Sequence, residues 1–217
     1  MIAKDVFSEI YKTHYWISEE SVSGHGSDLD ETITLRKELP SILKQLDVHS
    51  MLDIPCGDLN WMRHTDLGIE YYIGADVVPE LIEENKKLYK TSGSNFEVLD
   101  IIHDKLPCVD LVFCRDCLVH LPLCDAVEAV RRVVESRSTY FAATTCRCKE
   151  NLDIEMGNWR PLNLQLEPFN FVEPLVKIDE LEGDGPVYGK SLGIWRVDSL
   201  VSGLELEFME MMESIKL

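Results

Sequence analysis

Positive charge is what this chain has least of. Its 217 residues carry 21 Lys plus Arg against 39 Asp plus Glu, a formal net charge of −18. No basic run is longer than the pair Arg131-Arg132. A field that negative repels phosphate backbones and anionic lipid, so neither nucleic acid nor a membrane surface is an expected partner. The expected ligand is small, and neutral or cationic. Long apolar runs are also missing, since nothing approaches the roughly 18 residues of a spanning helix. The opening stretch MIAKDVFSEIYKTHYW lacks the apolar core of a secretory signal, and no Asn-x-Ser/Thr sequon occurs. The cysteines at 56, 108, 114, 117, 124, 146 and 148 are odd in number, which argues against a disulfide framework. A reduced, soluble, cytoplasmic protein is expected. Internal repeats, low-complexity tracts and linkers are absent too. With 45% apolar and 28% charged residues, usage is ordinary for a globular chain, and the length fits one domain over 1–217.

What is present is a change of period. Residues 1–20 place Val6, Ile10, Tyr11 and Tyr15 at near-helical spacing, and SVSGHGSD (21–28) is a Gly/Ser-rich loop. Asp28 with Glu31 predicts an N-cap and capping box for a helix from Leu29 to Leu46, with Pro40 expected to kink or split it. Short apolar strands then alternate with helices. The strands are MLDIP, YYIGAD, FEVLDI (96–101), VDLVFCRD (109–116) and TYFAATTC (139–146); the helices are PELIEENKKLYK and DAVEAVRRVVE. That alternation predicts a parallel sheet with crossover helices. About 30 aperiodic residues follow Cys146, and LGIWRV (192–197) and LELEFMEM (204–211) are read as an antiparallel edge hairpin. Three parts are expected: N-terminal helices and a lid (1–48), a cofactor-binding core (49–146), and a substrate-binding segment with the last strands (147–217).

The informative turn is Leu52-Asp53-Ile54-Pro55-Cys56-Gly57-Asp58. A dinucleotide site wants G-x-G-x-x-G, whose backbone cradles a pyrophosphate at a helix N-terminus. Here only Gly57 is present, and two carboxylates flank it. They oppose a pyrophosphate and suit a ligand bearing an amino group and a sulfonium, which is S-adenosylmethionine (SAM). Asp76 ends the second strand 23 residues after Asp53 and can accept both ribose hydroxyls. Asp100 ends the third strand 24 residues later and can accept the adenine amine. Any one of these acids alone is more often a helix cap or a solvated turn residue; three in this order are specific.

On LDIPCGD, YIGAD, EVLDI and DLVFCRDCLVHLP the sequence resembles the class I SAM-dependent methyltransferases over about residues 50–146. With SGHGSDLDET (23–32) and a later GNWRPLNL segment, it is similar to small stand-alone members of bacteria and large DNA viruses, some linked to sugar O-methylation. The resemblance implies a Rossmann-like α/β fold: a seven-stranded, mostly parallel sheet with the last strand antiparallel and helices on both faces. It implies SAM over the ends of strands one and two, touching Pro55, Val77, Ile101 and Arg115 besides the acids. It implies an enzyme acting on a hydroxyl of a sugar, with a deoxysugar such as rhamnose or fucose in a glycan as first choice, and host cytoplasm as the location if the protein is viral. Pro55 and Cys56 replace two glycines common at this turn.

Methyl transfer to a hydroxyl is helped by a general base, and His has the ordinary pKa suited to that near neutrality. His120 is the candidate, with Asp116 orienting it across a helical i, i+4 turn or itself binding substrate. The plain alternative makes His120 an ordinary polar residue before Leu121-Pro122. Trp16 and the 23–27 loop are placed over SAM. Arg36 either holds the methionine carboxylate or pairs with Glu38 or Asp47 at the surface. Asn151, Asp153, Trp159, Arg160 and Asn163 combine amides, charge and an indole, the chemistry of sugar recognition, or else form a structural lid. A Mg²⁺ or Mn²⁺ ion held by Asp116 and Asp153, with His103, Asp104 or His120 as further ligands, is left open. Cys114-x-x-Cys117 and Cys146-x-Cys148 lack diagnostic zinc spacing and are read as core or pocket thiols. Two other functions stay open: an N- or carboxyl-methyltransferase of another metabolite, and an inactive partner subunit of the same fold. The chain is expected to be a monomer or homodimer.

Overall fold

The structure is a computed structural model and describes residues 2–180 and 189–200. Strands β1 (Ser50–Asp53), β2 (Tyr71–Asp76), β3 (Ser94–Val98), β4 (Leu111–Cys114), β5 (Tyr140–Thr145), β6 (Val176–Asp179) and β7 (Ser191–Arg196) form one sheet. Its order is β3-β2-β1-β4-β5-β7-β6. The first five strands pair in parallel, and β7 runs antiparallel between β5 and β6.

The apolar strands feed two cores. Leu52, Val112, Cys114, Phe141 and Ala143 point to one face, where Ala126, Ala129, Val130 and Val133 of α4 (Leu123–Ser136) and Ala3 of α1 (Ala3–Thr13) cover them. Met51, Leu111, Phe113 and Ala142 point to the other, under Leu35, Leu39, Ile42 and Leu43 of α2 (Ile33–Gln45) and Ile82 of α3 (Pro79–Tyr89). Alternate residues are thus buried on opposite faces, which is why these strands read as continuous apolar runs.

Several expectations are corrected. The capping box does not form: α2 starts at Ile33, and Asp28 instead accepts hydrogen bonds from Ser18 Oγ at 2.5 Å and His25 Nδ1 at 2.8 Å. The helix continues through Pro40 without a break. Strand β6 lies just after the stretch read as aperiodic and is an element the sequence reading lacks. It occupies one edge of β7 while β5 occupies the other, so 192–197 is interior to the sheet and not part of an edge hairpin. Residues 204–211 lie outside the described residues. No described helix is long and apolar enough to cross a membrane. The segment after Cys146 is packed: Leu162, Leu164, Phe169 and Phe171 are buried in the core shared with α4.

Candidate active site

Over the carboxyl ends of β1, β2 and β4 lies a cavity of about 430 Å3, roofed by Phe7 and Tyr11 of α1, by Trp16 and by residues 22–27. Its floor is the turn after β1. Cys56 N donates to Ala75 O at 2.8 Å, and Gly57 N to Asp76 Oδ2 at 3.3 Å. Asn85 Nδ2 of α3 donates to Gly57 O at 2.7 Å. Gly57 has φ +56, and a Cβ there would collide with Ser23 Oγ of the roof. Glycine therefore serves both the backbone conformation and the close approach of roof and floor.

Asp53 is buried and accepts from Tyr72 Oη at 2.5 Å. Burial pushes its carboxyl up to about 7, against the Tyr72 hydrogen bond, and neighbouring Asp76 adds to the rise. Asp76 accepts from Val78 N at 3.0 Å, yet burial still raises it to about 6. Two desolvated carboxylates side by side favour a cation between them and the roof. Pro55, Val77, Asp100 and Ile101 also line the cavity. Asp100 serves the chain as well: it accepts from Ile102 N at 2.9 Å and contacts His103 Nδ1 at 3.0 Å. Asp58 clamps the roof, accepting from Ser21 Oγ at 2.9 Å and Val22 N at 3.0 Å.

The opposite wall has another electrostatic character. Arg115, 6% exposed, donates through Nε and Nη2 to Glu180 Oε2 at 3.0 and 2.6 Å, and through Nη2 to Gly26 O at 2.7 Å. Its Nη1 lies 3.2 Å from Asp116 Oδ2, and its guanidinium carbon 5.5 Å from the Trp61 ring centre. Lys190 Nζ reaches Asp116 Oδ2 at 2.5 Å and Glu180 Oε2 at 3.2 Å. Two cations and two anions balance. Burial alone raises an acid, but Lys190 and Arg115 overcome it and hold Asp116 well below the usual carboxylate range. Asp116 has φ 51, a left-handed conformation that Asp tolerates better than most residues, and Thr144 Oγ1 accepts from its N–H at 2.8 Å.

The pairing of Asp116 with His120 is corrected. The stretch 118–120 is a 3-10 turn, and Asp116 is engaged with Lys190, Arg115 and Thr144. The ring is held by Asn158 O, 2.9 Å from His120 Nδ1. A carbonyl only accepts, so the neutral ring carries its proton on Nδ1 and keeps a lone pair on Nε2. Trp16 packs on the imidazole with ring centres 4.6 Å apart. Burial pushes the imidazole below its ordinary value, with Asp116 opposing.

The other expected residues divide. Trp159 lines the cavity and is 50% exposed. Asn151, Asp153, Arg160 and Asn163 do not line it. Asn151 Nδ2 donates to Asn163 O and Glu167 O; Asn163 Nδ2 donates to Cys148 O. Asp153 accepts from Leu123 N at the start of α4. Arg160 donates to main-chain carbonyls. Arg36 is also outside, with Nη2 donating to Leu29 O at 2.8 Å. Among the described residues no group of three His, Cys, Asp or Glu side chains is placed to hold a metal ion. Cys114, Cys117 and Cys146 are buried and Cys148 half-buried.

No family model matches this sequence, and no curated protein matches it. Solved structures do. The fold is that of the class I SAM-dependent methyltransferases. One match is a SAM-dependent methyltransferase of Leishmania major: 14% identity over 87% of this chain and 82% of that one, TM-score 0.66. Another is the N-methyltransferase NodS of Bradyrhizobium japonicum in complex with S-adenosyl-L-homocysteine: 13% identity over 86% and 97%, TM-score 0.61. A third is the methyltransferase domain of a bacterial Hen1: 16% identity over 76% and 99%, TM-score 0.58. The residues of the charged cavity wall that sequence reasoning missed are Glu180 and Lys190. Only the apolar alternation of Val176 and Ile178 before Glu180 signalled a further strand there.

Proposed function

We propose that this protein is a SAM-dependent methyltransferase acting on a hydroxyl of a small neutral acceptor, with a sugar unit as first choice. The observation that carries it is the pairing of a floor of desolvated acids with a histidine whose Nε2 lone pair is available at the cavity wall. The donor set fits the cofactor: Asp53 and Asp76 favour a cation, Asp76 can accept ribose hydroxyls, and Asp100 can accept the adenine amine. Gly57 lets the backbone come close, and Pro55, Val77 and Ile101 supply apolar contact. When bound, SAM supplies an electrophilic methyl group on a sulfonium.

The protein's own part is positioning and proton removal. Trp16 and residues 22–27 exclude water from above. His120 Nε2 takes the acceptor's hydroxyl proton as the oxygen becomes nucleophilic, while Nδ1–H stays on Asn158 O. Arg115 and Asp116 build the wall and do not touch the proton. The balanced charges of Arg115, Glu180, Asp116 and Lys190 favour an uncharged acceptor. The sugar reading rests on the indoles of Trp16 and Trp159, flat faces on which a pyranose ring stacks; the amides at 151 and 163 do not support it. A hydroxyl is favoured over an amine because Asp116 is already neutralised and offers no free charge to an ammonium acceptor.

The test is mass-spectrometric detection of methyl transfer from SAM to rhamnose- and fucose-containing oligosaccharides, with an amino-sugar arm and an EDTA arm. Methylation of a neutral hydroxyl is expected, and the EDTA arm reads metal dependence. Exclusive methylation of the amine would overturn the hydroxyl reading.

A further inference from the structure

Four successive carbonyls surround His120, and residues 157–160 occupy all of them. Gly157 N donates to His120 O at 2.9 Å, and Arg160 N to Val119 O at 3.1 Å. Arg160 Nη1 donates to Leu118 O at 3.3 Å, Val119 O at 3.4 Å and Leu121 O at 2.7 Å. In return Asn158 O takes the His120 ring at Nδ1. Leu118 O also accepts from Leu121 N at 3.3 Å within the turn, whereas carbonyls at the end of a short turn need a partner from elsewhere. Here the partner is a buried guanidinium, 4% exposed, whose Nε and Nη2 have no hydrogen-bond partner among the described residues. A buried cation spent on neutral carbonyls, with two nitrogens unmatched, is costly. One nitrogen at the far end of a long side chain, Nη1, reaches all three of these carbonyls.

The segment cannot simply drift. Gly157 has φ +90, and a Cβ there would lie 2.9 Å from Ile10 Cδ1 and 3.0 Å from Val6 Cγ1 of α1. Trp16, just beyond α1, packs on the imidazole itself. The ring thus touches both the N-terminal segment and residues 157–160. The charged groups bearing on it are Asp116, Lys190 and Arg160.

The geometry points to Arg160 as a positioning residue: it staples the 118–121 turn so that Asn158 O fixes His120 as the Nδ1–H tautomer, leaving Nε2 as the base. This rests on the reading of His120 given above, and gives Arg160 a task other than contact with the acceptor.

The experiment is long-range ¹H–¹⁵N correlation of the histidine rings in the full chain, with His120 assigned by its loss in His120→Asn. Wild-type protein is expected to show His120 as a single Nδ1–H tautomer above its titration. Arg160→Met is expected to show the Nε2–H form alongside it, a kcat lowered about tenfold and an unchanged KM for SAM. Arg160→Lys, whose ammonium ends one bond short of the Nη1 position, is expected to fall between the two in tautomer ratio and kcat. A wild-type ring protonated on Nε2 overturns the inference even if no variant folds. So does an Arg160→Met or Arg160→Lys protein with the wild-type tautomer ratio. Failure of the methyltransferase reading shows differently, as wild-type protein without turnover but with the expected tautomer.

Discussion

The floor and the wall of the cavity hold the same residue type in opposite states. Asp53 and Asp76 are buried with no cation at hydrogen-bond distance among the described residues, and burial raises them to about 7 and about 6. Asp116 is part-buried too, but Lys190 and Arg115 are already in place and hold it low. The floor is therefore incomplete until a positively charged ligand arrives; the wall is complete by itself. That contrast separates the two halves of the proposed reaction: a cationic cofactor belongs on the floor, and a neutral acceptor belongs against the wall, beside His120.

The sharpest way to break the comparison is at the wall. His120→Ala is expected to lower kcat by roughly 10²–10⁴-fold, the usual contribution of a positioned base. Cofactor affinity should stay put, because the imidazole stands apart from the floor acids. Near-normal kcat on the true acceptor would remove the base from His120. Next comes the floor. Asp76→Ala is expected to weaken SAM binding by about 1.5–3 kcal/mol, the scale of charge-assisted hydrogen bonds; calorimetry on the folded variant reads it directly.

A smaller effect sharpens the same contrast through stability. Because the folded carboxyl of Asp53 is raised above its ordinary value, its contribution to ligand-free stability is full below the ordinary carboxylate value of about 4 and is lost progressively as pH rises from there through about 7. An amide in place of that carboxyl cannot ionise. Asp53→Asn is therefore expected to raise the ligand-free Tm at pH 8 by about 2–4 °C, the equivalent of about 1 kcal/mol, and by clearly less at pH 5, where only part of the loss has occurred. Thermal unfolding that is equally affected at both pH values would contradict the desolvated floor. The smallest effect belongs to Arg36. Arg36→Ala should cost about 1 kcal/mol of stability through the lost hydrogen bond to Leu29 O and leave SAM affinity unchanged. A loss of affinity would return Arg36 to the cofactor site.

What was legible in sequence follows the same division. Asp53, Asp76 and Asp100 sit at or just past the ends of three consecutive strands, so strand period and spacing reveal them. Trp16, Asp116 and His120 likewise lie where the sequence expects, on the cavity. The wall is built from residues remote in sequence: the pairings of β4 with β5, β5 with β7 and β7 with β6 bring Arg115, Glu180 and Lys190 together, and Gly26 O of the roof accepts from Arg115. No spacing rule encodes that. The amides and charges of 151–163 matched a sugar site in chemistry, but the carbonyls exposed by a long aperiodic segment and by the 118–121 turn claim them first. Asp28 was misread as a helix cap for a similar reason, since Ser18 and His25 compete for its oxygens.

The central claim is that raised floor acids await a cation. Calorimetry of SAM binding between pH 5.5 and 7.5, in two buffers of different ionisation enthalpy, tests it most directly. A cationic ligand favours the ionised form of Asp53 and Asp76, so binding must release protons wherever the free acids still hold them. The account predicts proton release near pH 6.5 and an affinity that strengthens as pH rises, flattening above about pH 7 where the acid held up to about 7 is ionised. SAM that does not bind, or that binds with the same affinity and no proton release across this window, would contradict it.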